Sequence, residues 1–154
     1  MAESAVLSAL VGALGAGRLL SSSAKSLAAL RSSFIRALTL FAQKKYKEAA
    51  AAVYAVLAVG PGWDWDTLKS LYPDVDTYTK QLRALEDYQK QNPKSADASF
   101  LLAYQYLTLG KKDAAIKQLQ RTVELQPKDQ VSAQLIKVLE QPPQETKDRP
   151  QPGT

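Results

Sequence analysis

The sequence predicts an all-α chain: an α-solenoid of about three antiparallel helical hairpins followed by a C-terminal capping helix. Three observations carry that expectation. The 154 residues include 23 Ala and 22 Leu against 9 Val and 3 Ile, so strong helix formers dominate and the β-branched residues that favour strands are scarce. Of the seven Gly, only Gly60, Gly62 and Gly110 lie between residues 18 and 152, and glycine is unfavourable inside a helix. Pro61, Pro93 and Pro127 are spaced 32 and 34 residues apart and each follows an apolar-periodic stretch, so the helix-stopping residues themselves recur.

The elements follow in order. Residues 4–17 form an uncharged Ala/Gly/Leu-rich run, shorter than the roughly 20 apolar residues that cross a bilayer. Small residues recur there at four-residue spacing (Ala5, Ala9, Ala13, Gly17), as in close-packed membrane helices, a spacing that an Ala-rich run also produces by chance. Glu3 is the only charge before the run, unlike the basic start of a signal peptide; an acid-poor, Ser-containing start also fits a transit peptide or a drifted first repeat. Residues 1–26 are therefore read as an Ala/Gly/Ser-rich N-terminal segment, closed by a linker or helix break at 21–26.

From Leu27 the spacing of Leu27, Leu30, Phe34, Leu38 and Phe41 is that of an amphipathic helix. After a turn near Lys44–Lys45, a second helix is expected over Tyr46–Val59 and stopped by Gly60-Pro61-Gly62. A short segment over Asp66–Tyr72 ends at Pro73. Further helices are expected over Val75–Gln91, Ser95–Leu109, Asp113–Gln126 and Gln130–Leu139, stopped by Asn92-Pro93, Gly110, Pro127 and Pro142-Pro143. The domain reading is thus a helical repeat region over 27–140 and a disordered Pro/Gln-rich tail over 141–154, which holds four of the eight prolines.

The chain has no His and no Cys. That excludes an imidazole general base, Ser-His-Asp and Cys-His nucleophiles, the usual zinc sites and any disulfide. An enzyme would have to use carboxylate or lysine chemistry in a pocket that perturbs those groups. No such constellation is legible, so no catalytic residue, cofactor or metal is expected. The net charge of +5 is uneven: residues 1–47 hold seven bases and one acid, and residues 48–154 hold 13 bases and 14 acids. The nearly neutral body lacks the basic, aromatic-studded face of a nucleic-acid-binding domain.

The recurring prolines delimit units with an internal pattern. In Ala96–Pro127, the residues Leu102, Ala103, Tyr106, Gly110, Ala115, Leu119 and Pro127 resemble the tetratricopeptide repeat, with Ser99 and Thr122 standing where that family usually has Trp and Ala. Leu30–Pro61 resembles it at Ala37, Tyr46, Ala49 and Pro61, with Arg36 in place of Leu and Lys44 in place of the turn Gly. Gly62–Pro93 is degenerate, its first helix cut short by Tyr72-Pro73; its GWDW and LYPDVDTY stretches look like those inserted between repeats in uncharacterised bacterial tetratricopeptide proteins. The physical roles are direct. Ala103 and Ala115 are small where two helices cross, Tyr106 fills the space beside a neighbouring hairpin, Gly110 permits the turn, and Pro127 stops the second helix.

The resemblance implies a concave groove lined by the first helix of each hairpin. Its lining maps onto Arg31, Phe34, Leu38 and Phe41 in the first unit and Asp97, Phe100, Tyr104 and Leu107 in the third. These are mostly apolar, so a groove for a helix or an extended apolar peptide fits better than a carboxylate clamp, unless residues 5–20 occupy it in cis. Asp64, Asp66, Asp74 and Asp76 form two D-x-D pairs; helix capping by Asp66 and Asp74 accounts for them better than a cation site. Trp63, Trp65, Tyr72 and Tyr78 either pack where the first helix is short or form a binding patch. The Lys44-Lys45-Tyr46-Lys47 run reads as a solvated turn, with phosphate or anionic-lipid contact as the alternative. The expected function is a non-catalytic, cytoplasmic scaffold that binds a protein or peptide and no nucleic acid; the alternative is a membrane- or envelope-anchored protein tethered through residues 5–20.

Overall fold

A computed structural model describes residues 24–59 and 65–142. The candidate anchor at 5–20, Pro61, Trp63, Asp64 and residues 143–154 lie outside the described residues. Seven helices are described: α1 (Ala24–Ala42), α2 (Tyr46–Val59), α3 (Trp65–Ser70), α4 (Val75–Gln91), α5 (Ala96–Thr108), α6 (Lys112–Leu125) and α7 (Gln130–Glu140). Among the described residues there is no strand.

Side chains start three of these helices. Asp74 Oδ1 accepts from the Thr77 N–H at 2.6 Å to cap α4. Ser95 Oγ accepts from the Ala98 N–H at 3.2 Å to cap α5. Asp129 accepts from the Ser132 N–H and hydroxyl at 3.0 and 2.6 Å to cap α7. Each satisfies a backbone donor that a helix start leaves unpaired. Two boundaries differ from expectation. Residues 24–26 are helical rather than linker, since Ala24 and Lys25 are good helix formers and nothing there stops a helix. Asp66 lies inside the first turn of α3 rather than before it, where it faces the positive end of the helix dipole instead of capping.

The hairpin corners of α1–α2 and α5–α6 are built alike. Lys45 N–H donates to Leu40 O at 2.9 Å and Lys44 N–H to Phe41 O at 3.0 Å; 66 residues on, Lys111 N–H donates to Tyr106 O at 2.8 Å and Gly110 N–H to Leu107 O at 3.0 Å. This paired closure needs a left-handed residue just past the helix. Gly110 takes it with φ 73°, and Lys44 takes it with φ 60°. Lys44 therefore occupies the glycine position of its corner in conformation as well as in register.

The hairpins are stacked unevenly. α1 packs on α2 and α5 on α6, while α2 also packs directly on α5 and touches α7. The first hairpin thus meets the third, because the middle one is incomplete: α3 has six residues against seventeen in α4, and Pro73 forbids its extension. Trp65 and Tyr72 lie beside Tyr78, with ring centroids 5.1 and 5.3 Å away. These aromatics and the buried Leu68 fill the space left by the short helix. α5 is the centre of the core: eleven of its thirteen residues are buried. α7 closes the other end through buried Leu135 and Leu139.

Candidate functional site

Most of the first- and third-unit residues expected to line one groove are buried, and one pair of them meets across the two units. Phe34, Phe41, Phe100, Tyr104 and Leu107 are buried, Leu38 and Asp97 are half-buried, and Arg31 is exposed. The Phe34 ring meets the edge of Tyr104 at 5.8 Å between centroids. Phe41 instead packs beside Tyr46 of its own hairpin, and Phe100 beside Tyr54 of α2, so the apolar linings are spent on the core instead of facing solvent.

A cleft of about 290 Å³ stays open between α2, α5 and the α6–α7 junction. Asp97 and Phe100 line it, joined by Ala50, Ala51, Tyr54 and Asp129. Tyr54 is 36% exposed and its ring lies 5.5 Å from that of Phe100. Burial, then the neighbouring Asp129 carboxylate, raise the Tyr54 hydroxyl above its ordinary range, so it stays a neutral hydroxyl beside that acid. The cleft therefore has an apolar floor of alanines and one aromatic pair, with two carboxylates on its walls. Tyr54 and Asp129 were missed by sequence reasoning. Tyr54 carries the only aromatic ring inside the YKEAAAAVYAVLAV helix after its first residue, which is the signal that was there to use.

The packing positions fall where close helix crossing demands. Ala37, Ala49, Ala103 and Ala115 are at most 2% exposed. Leu102 and Leu119 are buried, and Pro127 sits in the exposed turn after α6. Tyr46 is buried with its ring 6.3 Å from Phe41 and 4.7 Å from Tyr88. Tyr106 is half-buried, and its hydroxyl donates to Glu86 Oε1 at 2.8 Å, tying α5 to α4. Tyr78, pushed well above its ordinary range by burial, donates to Gln105 Oε1 at 2.7 Å. Ser99, at the position where the repeat usually has Trp, is buried with its hydroxyl unpartnered among the described residues.

Asp74 is held below the ordinary carboxylate range chiefly by the Thr77 N–H and hydroxyl, as a capping group is. Among the described residues no group of three or more acidic side chains is placed to hold a metal ion. No helix of the described residues is long and apolar enough to cross a membrane.

Residues 82–130 match the tetratricopeptide repeat family model. No curated protein and no solved structure gives a significant match to the chain. The matched stretch runs from the middle of α4 through α5 and α6 to the start of α7, so it contains the Gly110 corner and the whole third hairpin. The described helices make an all-α, tetratricopeptide-like helical repeat fold. Tetratricopeptide repeats are typically non-catalytic modules that bind other proteins, which supports a protein–protein interaction scaffold here.

Proposed function

We propose that this protein is a non-catalytic interaction module that takes a segment of a partner protein in the cleft between α2, α5 and the α6–α7 junction. One observation carries the reading: a partly exposed Tyr54 ring tilted against the buried Phe100 ring over an alanine floor. Partly exposed aromatics set in an apolar depression are the usual anchors of protein interfaces. At about 290 Å³ the cleft is at the lower edge of small-molecule pockets and suits one or two side chains of a bound segment. The groove sites are then Tyr54 and Asp97 at the mouth and Phe100 beneath them, with Phe34, Leu38, Phe41, Tyr104 and Leu107 as the surrounding packing and Arg31 at the exposed end. A cytoplasmic location, and kinship of the LYPDVDTY insert with bacterial tetratricopeptide proteins, belong to the same reading.

Affinity capture with the full chain tests it. A partner recovered by the wild type and by a Lys117→Ala control is expected to be lost from Tyr54→Ala and Asp97→Lys, both changes at accessible positions. Equal recovery by all four proteins rejects the cleft as the binding surface.

A further inference from the structure

Lys44 stands out at the other end of α2. It is the non-glycine residue with positive φ among the described residues, at 60°, and the matching corner of the third hairpin uses Gly110. A side chain in this conformation costs about 1–2 kcal/mol relative to glycine, and such outliers concentrate where a side chain has a task. The Lys44 side chain lines a second cleft, of about 210 Å³, between the α1–α2 corner and α4.

The opposite wall of that cleft carries Lys80 and Gln81, and Phe41, Tyr46 and Ala84 make an apolar lining. Gln81 Oε1 already accepts from the Tyr72 hydroxyl at 2.8 Å, and burial pushes Tyr72 up to about 12, so it remains a donor. That leaves the Gln81 amide N–H groups as its free end. No acidic side chain lines the cleft. Neither lysine is in an ion pair among the described residues; Lys80 acts on Asp74 only through its charge. At the third hairpin no such site exists, because Gly110 has no side chain and Lys111 lies over the Tyr106 ring, 5.9 Å from its centroid.

We propose that the Lys44–Lys80 cleft is a second recognition site, distinct from the Tyr54 cleft, which takes an acidic peptide segment by seating one apolar or aromatic side chain between two carboxylates. Charge complementarity selects the occupant: two cationic rims and an amide donor surround a floor that only an apolar group can cover without leaving polar atoms unpaired. The volume is below the roughly 300 Å³ at which small-molecule pockets begin, so it admits a side chain rather than a cofactor. The left-handed Lys44 is then stability given up for binding.

The full chain titrated with the peptide Ac-Glu-Glu-Phe-Glu-Glu-NH2, followed by backbone amide NMR and calorimetry, tests this. Shifts are expected at Lys44, Lys80 and Gln81, and none with the Gln-for-Glu peptide. Lys80→Gln is expected to raise the Kd about tenfold with unchanged Tm. Lys44→Gly is expected to raise the Kd similarly while raising the Tm, a split that a purely structural lysine would not show. Absence of shifts at millimolar peptide overturns the proposal, as do unchanged affinities in both variants. Lysine-dependent binding of phosphatidylserine vesicles without peptide binding overturns it too, assigning the rims to lipid headgroups.

Discussion

The first and third hairpins are the same object in different surroundings. Each position of one lies 66 residues from its counterpart in the other: Phe34 and Phe100, Ala37 and Ala103, Ala49 and Ala115 are matched and buried in both. Ile35 and Leu101 are also matched, yet Ile35 is 44% exposed and Leu101 is 0% exposed. Arg36 is exposed where Leu102 is buried. The internal faces are set by hairpin geometry and so recur. The outer faces depend on neighbours: α5 is covered by α2, α4 and α6, whereas α1 packs chiefly on α2. Register decides what a residue faces within its hairpin, and place in the stack decides whether the other face meets protein or water.

The sharpest way to break this comparison is a matched pair of truncations. Leu101→Ala is expected to cost about 3 kcal/mol, the transfer and cavity loss of a fully buried leucine. Ile35→Ala is expected to stay within about 0.5 kcal/mol, as a surface change does. Urea unfolding of both variants checks it; equal losses would mean that α1 is covered as completely as α5.

The corners should differ by less and in the same sense. Gly110→Ala forces a Cβ into the left-handed region and is expected to destabilise by about 1 kcal/mol, while Lys44→Ala changes little, since that corner already bears a side chain. Thermal denaturation of the two variants reads the difference. If both lose alike, the Lys44 side chain beyond its Cβ makes contacts that offset the cost of its backbone conformation.

The smallest effect concerns the tie between α4 and α5. Partial burial pushes Glu86 up, but the hydrogen bonds from Arg83 and Tyr106 outweigh it and hold the carboxyl below its ordinary 4.5. A folded-state value below the unfolded one stabilises above the unfolded pKa and is lost as pH falls through the folded one. The advantage of wild type over Glu86→Gln, under about 1 kcal/mol because water screens the pair, is therefore expected to be full at neutral pH. It should vanish as pH falls below 4.5, in stability curves measured at several pH values. The first hairpin has Leu40 where the third has Tyr106, so no matching acid sensitivity arises there.

The helices were readable because their signals are local. Asp74 and Ser95 cap, Pro73 and Pro127 stop, and Gly110 turns, each through contacts within four residues of itself. The same locality made Lys44 legible as the substitute for glycine. The site was only half legible. Asp97 and Phe100 were placed on a groove face and do line the open cleft, but Phe34 and Tyr104 were placed on it too and instead pack on each other. Tyr54 escaped because it belongs to the second helix of its hairpin, a position that the repeat pattern does not assign to a groove.

By itself, the sequence determined the helix order, the repeat register and the absence of imidazole and thiol chemistry, all of which rest on residue type and short-range spacing. Only the tertiary structure decided that the first hairpin reaches the third across a shortened α3, and hence which apolar faces were spent on the core and which clefts stayed open. That outcome depends on how much surface each of three hairpins finds to bury against the others, and no stretch of the chain carries that information on its own.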